Sequence, residues 1–263
     1  MTNVGTANAG VDVELLQFRC SNAAEKARWA LDHKGIAHRR RSLLPGLHRG
    51  AVANLTAQTA TPVLRIGKES IAGSAPIIEA LEQRFPETPL LPSDPELRAQ
   101  AIEHARHLDA KLGPAVRIAV LDAIGDDADY TARLYTPSDR PAMRAFYRAW
   151  LPFVRARMRR ASGMRDKYST RLAEQHLDTS AVSLARFARR SFHLCGEHFS
   201  VADLTAASLF APLVSPPHPD VSFPEPMPAS LAALIAKWRA HPAGEWVLEM
   251  YRRYRPVRPI GRS

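Results

Sequence analysis

Near its start the chain reads Val13-Glu14-Leu15-Leu16-Gln17-Phe18-Arg19-Cys20-Ser21-Asn22-Ala23-Ala24-Glu25-Lys26-Ala27-Arg28-Trp29-Ala30-Leu31-Asp32-His33-Lys34-Gly35, and the fold turns on that stretch. Val13 to Phe18 is apolar, bounded and short, which predicts a strand at a buried edge of a sheet. Arg19 to Asn22 is a polar turn. From Ala23 to Lys34, Ala23, Ala27, Ala30 and Leu31 fall on one face and Glu25, Lys26, Arg28 and Asp32 elsewhere, which predicts a helix. Asn22 is the expected N-cap, with Glu25 completing a capping box, and Gly35 marks the stop. The Cys20 thiol and the Ser21 hydroxyl therefore sit just ahead of a helix N-terminus. Backbone N–H groups and the helix dipole there favour an anion and lower a thiol pKa. The same residues also fit a capped surface helix with an incidental Ser and Cys.

Outward from this stretch, Ile36 to Leu44 reads as a second strand, carrying Arg39-Arg40-Arg41 on its exposed side. Leu47 to Asn54 suits a short helix. Thr61 to Ile66 is a third strand, and Gly67-Lys68-Glu69 turns into a fourth at Ser70-Ile71-Ala72. Gly73-Ser74 precedes a helix over 75–85, with Ser74 as its expected cap and Pro76 in the first turn. Strand, helix and strand followed by a hairpin and a helix is the order of a thioredoxin-like α/β domain. The proline-rich run Pro86 to Pro95 reads as a linker. Beyond it the pattern is helical: 96–124, a loop over 125–139, then 140–161 with Pro152 expected to kink it, 177–192, 200–214, 229–240 and 244–254. The expected organisation is a leader over 1–10, a thioredoxin-like domain over 11–85, a linker over 86–95, an all-helical domain over 96–254 and a basic tail over 255–263.

Bulk properties exclude several classes. At 263 residues, with 46% hydrophobic and 24% charged content, the chain suits a globular protein. No apolar run approaches the ~18 residues of a membrane span. The small, polar first ten residues lack a signal peptide's basic and apolar regions. Cys20 and Cys195 make no disulfide framework, so a reducing, cytoplasmic location is expected. The net charge of +10 raises nucleic acid as a partner. Yet arginine is spread through helical segments without zinc-finger spacing or an aromatic RNA-binding signature, which points instead to a basic surface attractive to acidic small molecules.

Four stretches resemble the cytosolic glutathione S-transferase superfamily: Leu15 to Ile36, Thr61-Pro62-Val63-Leu64, Gly73-Ser74 with Ile77 to Glu82, and Gly196 to Asp203. The resemblance covers nearly the whole chain. It implies a thioredoxin-like domain followed by an all-helical domain, a homodimer, glutathione as co-substrate and a hydrophobic electrophile as its partner. Ser21 falls where Ser- and Cys-type members carry the residue that activates the glutathione thiol, and the adjacent Cys20 is the alternative nucleophile. Pro62 would be cis, freeing the Thr61 backbone to pair with glutathione, and Ser74 would bind the γ-glutamyl carboxylate. Two positions depart from the pattern. Gly73 stands where the family usually has Glu or Asp for the glutathione amino group, and Asn22 where it often has Pro. Losing a charge-assisted hydrogen bond costs about 1.5–3 kcal/mol, roughly ten- to a hundredfold in affinity.

Other groups have structural explanations. Ser200 and Asp203 form a capping box that starts a buried helix. His104 and His107 share a helix face, but no third ligand can be assigned, so no metal site is expected. Tyr130, Tyr135, Tyr147 and Trp150 are candidates for the acceptor site, with core packing the stronger reading for Trp150. A competing function on the same fold is a non-catalytic carrier of an acidic hydrophobic ligand such as haem or a porphyrin.

Overall fold

The computed structural model describes residues 11–161, 163–164 and 167–255. The leader over 1–10 and the tail from 256 onward lie outside them. Strands β1 (Val13–Gln17), β2 (Arg39–Ser42), β3 (Val63–Ile66) and β4 (Glu69–Ala72) form one mixed sheet in the order β2-β1-β3-β4. β1 runs parallel to β2 and antiparallel to β3, and β3 pairs antiparallel with β4. β1 is thus an interior strand and not the expected edge. That is why its alternating side chains serve two cores. Val13 and Leu15 join the main core, while Leu16 packs with Leu43, Val52 and Val63 on the other face.

Helices α1 (Asn22–His33) and α3 (Ser74–Arg84) pack together, and the short α2 (Arg49–Ala53) places Val52 on the opposite face. The remainder is helical: α4 (Pro95–Ile124), α5 (Ala128–Tyr135), α6 (Pro141–Ala161), α7 (Lys167–Arg190), α8 (Val201–Val214), α9 (Ala229–Arg239) and α10 (Pro242–Tyr254). α8 is buried along its whole length and packs on α1, α4, α9 and α10, making it the axis of the helical half. Its start carries the capping box expected from Ser200 and Asp203. At Gly244 an added Cβ would lie 1.9 Å from the Trp238 carbonyl oxygen, so only glycine lets α10 turn in against α9.

Several expectations are corrected. The loop over 125–139 contains α5, capped by Asp127 through the Tyr130 N–H. α7 begins ten residues before the position that apolar spacing alone suggests, at Lys167 instead of Leu177. Trp150 is no core residue: it is 37% exposed on the outer face of α6, beside Phe146 and Phe153.

The larger surprise is α1. Its charged face is not solvated, since Glu25, Lys26, Arg28 and Asp32 are all buried. Lys26 Nζ reaches Asp109 of α4 at 2.5 Å. The other three join a network with Arg40 of β2, Asp220 of the loop after α8, and Arg255 at the end of α10. Arg255 donates to Glu25 (2.9 Å), Asp32 (2.6 Å) and Asp220 (2.8 Å). Arg40 bridges Asp220 (2.7 Å) and Asp32 (3.0 Å), while Arg28 holds Glu25 at 2.8 Å and the Gln17 side-chain oxygen at 2.6 Å. Arg255, expected in a basic tail, is therefore a buried keystone, and Arg40 of the expected exposed run turns inward. Three arginines meet three carboxylates in geometry that satisfies most of their donors, which is the condition for burying charge.

Candidate functional site

The mouth of α1 is built differently from its sequence reading. Ser21, and not Asn22, is the N-cap, with φ −85° and ψ 126°, and its Oγ accepts a hydrogen bond from the Ala24 N–H (3.3 Å). With the oxygen so used, the hydroxyl hydrogen is left to point elsewhere. Asn22 is buried instead, and its Nδ2 donates to the carbonyls of Gly113 in α4 (3.0 Å) and Leu209 in α8 (3.4 Å). The residue that departs from the family's proline is thus a pin between the thioredoxin-like half and the two central helices.

Beside it, the Cys20 Sγ donates to the Leu134 carbonyl at 3.6 Å. Burial pushes this thiol up to about 11, against the smaller opposing pull of Arg28 and Arg19. The direction is opposite to the one expected ahead of a helix N-terminus, because desolvation outweighs the dipole here.

The Thr61–Pro62 peptide is cis, as the resemblance implies. The Pro62 carbonyl accepts from the Gly73 N–H (2.9 Å), and the β3–β4 register brings the Thr61–Pro62 end of β3 beside Gly73 and Ser74. Ser74 is the first residue of α3 and not its cap. The cap position is Gly73, at φ 95°, and it offers no side-chain hydrogen bond to the helix.

A cavity of about 440 Å³ opens where the two halves meet. Ser21, Cys20 and Thr61 line it, whereas Pro62 and Ser74 are not among its lining residues. Its helical wall carries Val116, Val120 and Leu121 of α4, Leu134 and Tyr135 of α5, and Met158 of α6. Among the tyrosines named from sequence, Tyr135 lines the cavity. Tyr147 is buried and donates to the Pro45 carbonyl (3.0 Å), and Tyr130 is buried in the core. His104 and His107 lie away from it on α4, and no group of three or more potential metal ligands occurs among the described residues.

Sequence reasoning missed two members of the wall. His48 faces the Thr59 carbonyl through Nε2 at 3.0 Å, so that nitrogen carries the proton when the ring is neutral. Its Nδ1 is buried with no hydrogen-bond partner, and desolvation lowers its pKa, which keeps the ring neutral. Arg117 of α4 lines the cavity; desolvation lowers its pKa and neighbouring Tyr135 opposes that. The available signal was an arginine inside the apolar run Ala115-Val116-Arg117-Ile118-Ala119-Val120, a place where a helix ordinarily faces a core.

Comparison with known proteins agrees with this construction. The family model for the glutathione S-transferase N-terminal domain matches residues 15–89. Glutathione S-transferase 1 of Dianthus caryophyllus is 35% identical over 115 residues, a match that covers 43% of this chain and about half (52%) of that protein. Among solved structures, the β-etherase LigF of Sphingobium sp. strain SYK-6 superposes with a TM-score of 0.59 at 18% identity, covering 90% of this chain and 98% of that one. The theta class glutathione S-transferase of Xanthomonas axonopodis pv. citri, solved with glutathione bound, gives 0.55 at 18% identity over 93% of this chain and 98% of that one. Likeness at that identity establishes the fold. The chain therefore carries a glutathione S-transferase N-terminal domain at residues 15–89, on the two-domain fold of the cytosolic glutathione S-transferase superfamily.

Proposed function

We propose that the protein is a glutathione transferase-like enzyme that activates glutathione, or a related thiol, for attack on a hydrophobic electrophile. The observation that carries this reading is the capping hydroxyl of Ser21 at the wall of a cavity whose opposite wall is apolar. The Ser21 O–H, with its oxygen engaged by the Ala24 N–H, donates to the bound sulfur. The positive end of α1 favours the same charge. Thiolate is thereby favoured over thiol, and the proton leaves to solvent. The sulfur lone pair then forms a bond to the electrophilic carbon, and the leaving group departs with the electron pair of the bond that breaks.

Ser21 is preferred to Cys20 because burial keeps the Cys20 thiol protonated at neutral pH. Thr61 would pair its backbone with the peptide part of the thiol, with Pro62 setting the turn, and Ser74 at the start of α3 would take a carboxylate. The working form would be a homodimer in a reducing, cytoplasmic setting, consistent with two free cysteines; light scattering tests the assembly.

The decisive experiment is conjugation of glutathione to chlorodinitrobenzene by the intact protein and by Ser21→Ala. A loss of about ten- to a hundredfold in kcat/KM is expected, the range for removing one donor to a developing anion. Unchanged activity in Ser21→Ala, or loss in Cys20→Ala instead, overturns the assignment. Absence of conjugation together with a new haem absorbance band on titration would replace the enzyme with a carrier.

A further inference from the structure

Helix α6 buries one apolar row and exposes another. Tyr147, Leu151 and Val154 pack with Ala132 of α5. Phe146, Trp150 and Phe153, at the helical spacing of a single row, stand outside that contact. Phe146 is 58% and Phe153 78% exposed. Their rings flank Trp150, stacked on it at 6.5 Å on one side and tilted at 5.7 Å on the other. Arg157 and Arg160, both exposed, continue the same row toward the end of the helix. A contiguous row of large rings held in water marks an interaction surface.

The charge of the helix says what kind. Between Pro141 and Ala161 it carries Arg144, Arg148, Arg155, Arg157, Arg159 and Arg160, with no Asp, Glu or Lys. Asp129 pairs with Arg148 (2.8 Å), and Asp126 with Arg155 (3.1 Å) and Arg159 (3.8 Å). On a helical projection those three arginines lie across the buried row from the aromatic one, so the acids serve the other flank. Two copies of the aromatic face brought together would set arginine against arginine, which disfavours an isologous dimer there. A surface that is both anionic and apolar just beneath fits better. Aromatic rings settle at the boundary between headgroups and acyl chains, and guanidinium groups hold phosphate.

We propose that the Phe146–Trp150–Phe153 row of α6, with Arg157 and Arg160, docks the protein onto the surface of an anionic phospholipid bilayer. No helix among the described residues is long and apolar enough to cross a membrane, so the contact is peripheral. The net charge of +10 adds a longer-range attraction to the same surface. Arg157 and Met158 of this helix also line the cavity, so docking brings the α6 wall of the cavity to the lipid. The proposal stands without the thiol-transfer reading.

Vesicle sedimentation with the intact protein tests it. Phosphatidylcholine vesicles carrying about 30% phosphatidylglycerol should bind about tenfold or more tightly than phosphatidylcholine alone, and high salt should weaken that binding. Trp29, Trp238 and Trp246 are buried, so quenching of tryptophan emission by brominated lipid should report Trp150. The double variant Phe146→Ser/Phe153→Ser should lose about tenfold in affinity and Arg160→Gln about threefold, with thermal melts unchanged because all three positions are exposed. Equal binding to both vesicles, binding to neither, absence of quenching, or parent-like binding by the double variant overturns the proposal. A dimer in light scattering that the double variant disrupts, without vesicle binding, would give the face to a second copy and overturn it too. Binding of duplex DNA through the same residues, without vesicle binding, would do likewise. Because sedimentation requires no turnover, its outcome is separable from that of the Ser21→Ala assay.

Discussion

Ser21 has two roles that can be pulled apart. As N-cap it satisfies the Ala24 N–H, and as a hydroxyl it donates to a thiolate. Ser21→Asp keeps a good cap but removes the donor and places a negative charge beside the sulfur. Its melting temperature should stay near that of the parent, while the pKa of bound glutathione, read from ultraviolet thiolate absorbance, should rise. Ser21→Ala should lose both the cap, about 1 kcal/mol, and the low thiol pKa. A second residue-scale prediction concerns Gly73, where φ is 95°. Gly73→Glu supplies the missing carboxylate for a glutathione ammonium, so affinity by calorimetry should rise about tenfold or more. The left-handed backbone should make the same variant less stable by about 1–2 kcal/mol. An unchanged affinity would remove the ammonium argument.

At the scale of elements, the entry to α1 is held by something other than α1. Asn22 ties that entry to α4 and α8 through two buried carbonyls. Asn22→Ala deletes both bonds and should cost about 1–3 kcal/mol, lowering the melting temperature by about 2–4 °C for each kcal/mol in a chain of this size. It should also weaken glutathione binding, since the helix mouth would no longer be pinned against the cavity wall. A drop in stability with unaltered binding would make Asn22 a fold residue alone. The α8 capping box is the opposite case. Asp203 accepts from the Leu194 and Ser200 N–H groups and from the Ser200 hydroxyl, all remote from the cavity.

At the scale of the whole molecule, the buried ion network joins α1, β2, the loop after α8 and the end of α10. Removing one partner leaves the others charged and dry, so Arg255→Met should destabilise by about 3–5 kcal/mol, measured by denaturant unfolding. The network also predicts acid sensitivity. Burial alone would raise the Glu25 pKa, but Arg255 and Arg28 override it and hold the carboxyl at about 2, against an ordinary 4.5. A depressed folded-state value means stability that is fully present above about pH 4.5 and lost as pH falls toward 2, worth on the order of 3 kcal/mol. Asp203, whose pKa is raised by burial, works in the opposite sense. Comparison with Arg255→Met isolates the network: the gap in stability between parent and variant should be widest near neutral pH and shrink below about pH 4. A gap that does not change with pH would mean the arginine acts through packing.

Much of the architecture was legible along the chain, because strand and helix periods, caps and proline punctuation are local properties. The strand at Val13, the turn at Gly67, the helix over most of 96–124 and the Ser200–Asp203 box were all readable from a few neighbouring residues. Ser21 and Thr61 were named as site residues, and the structure brings both to one cavity wall. What could not be read is what a charge faces. Spacing on a helix distinguishes an apolar stripe from a polar one, but it cannot tell whether the polar stripe meets water or an opposite charge from a segment more than 200 residues away, as Glu25 meets Arg255. The same blindness hid Arg117, which sits among apolar neighbours in sequence and lines the cavity in the fold. Local order was therefore determined by the sequence itself. The burial of charge and the height of the Cys20 pKa were decided by tertiary structure, because each depends on desolvation, and desolvation is set by which segments pack together.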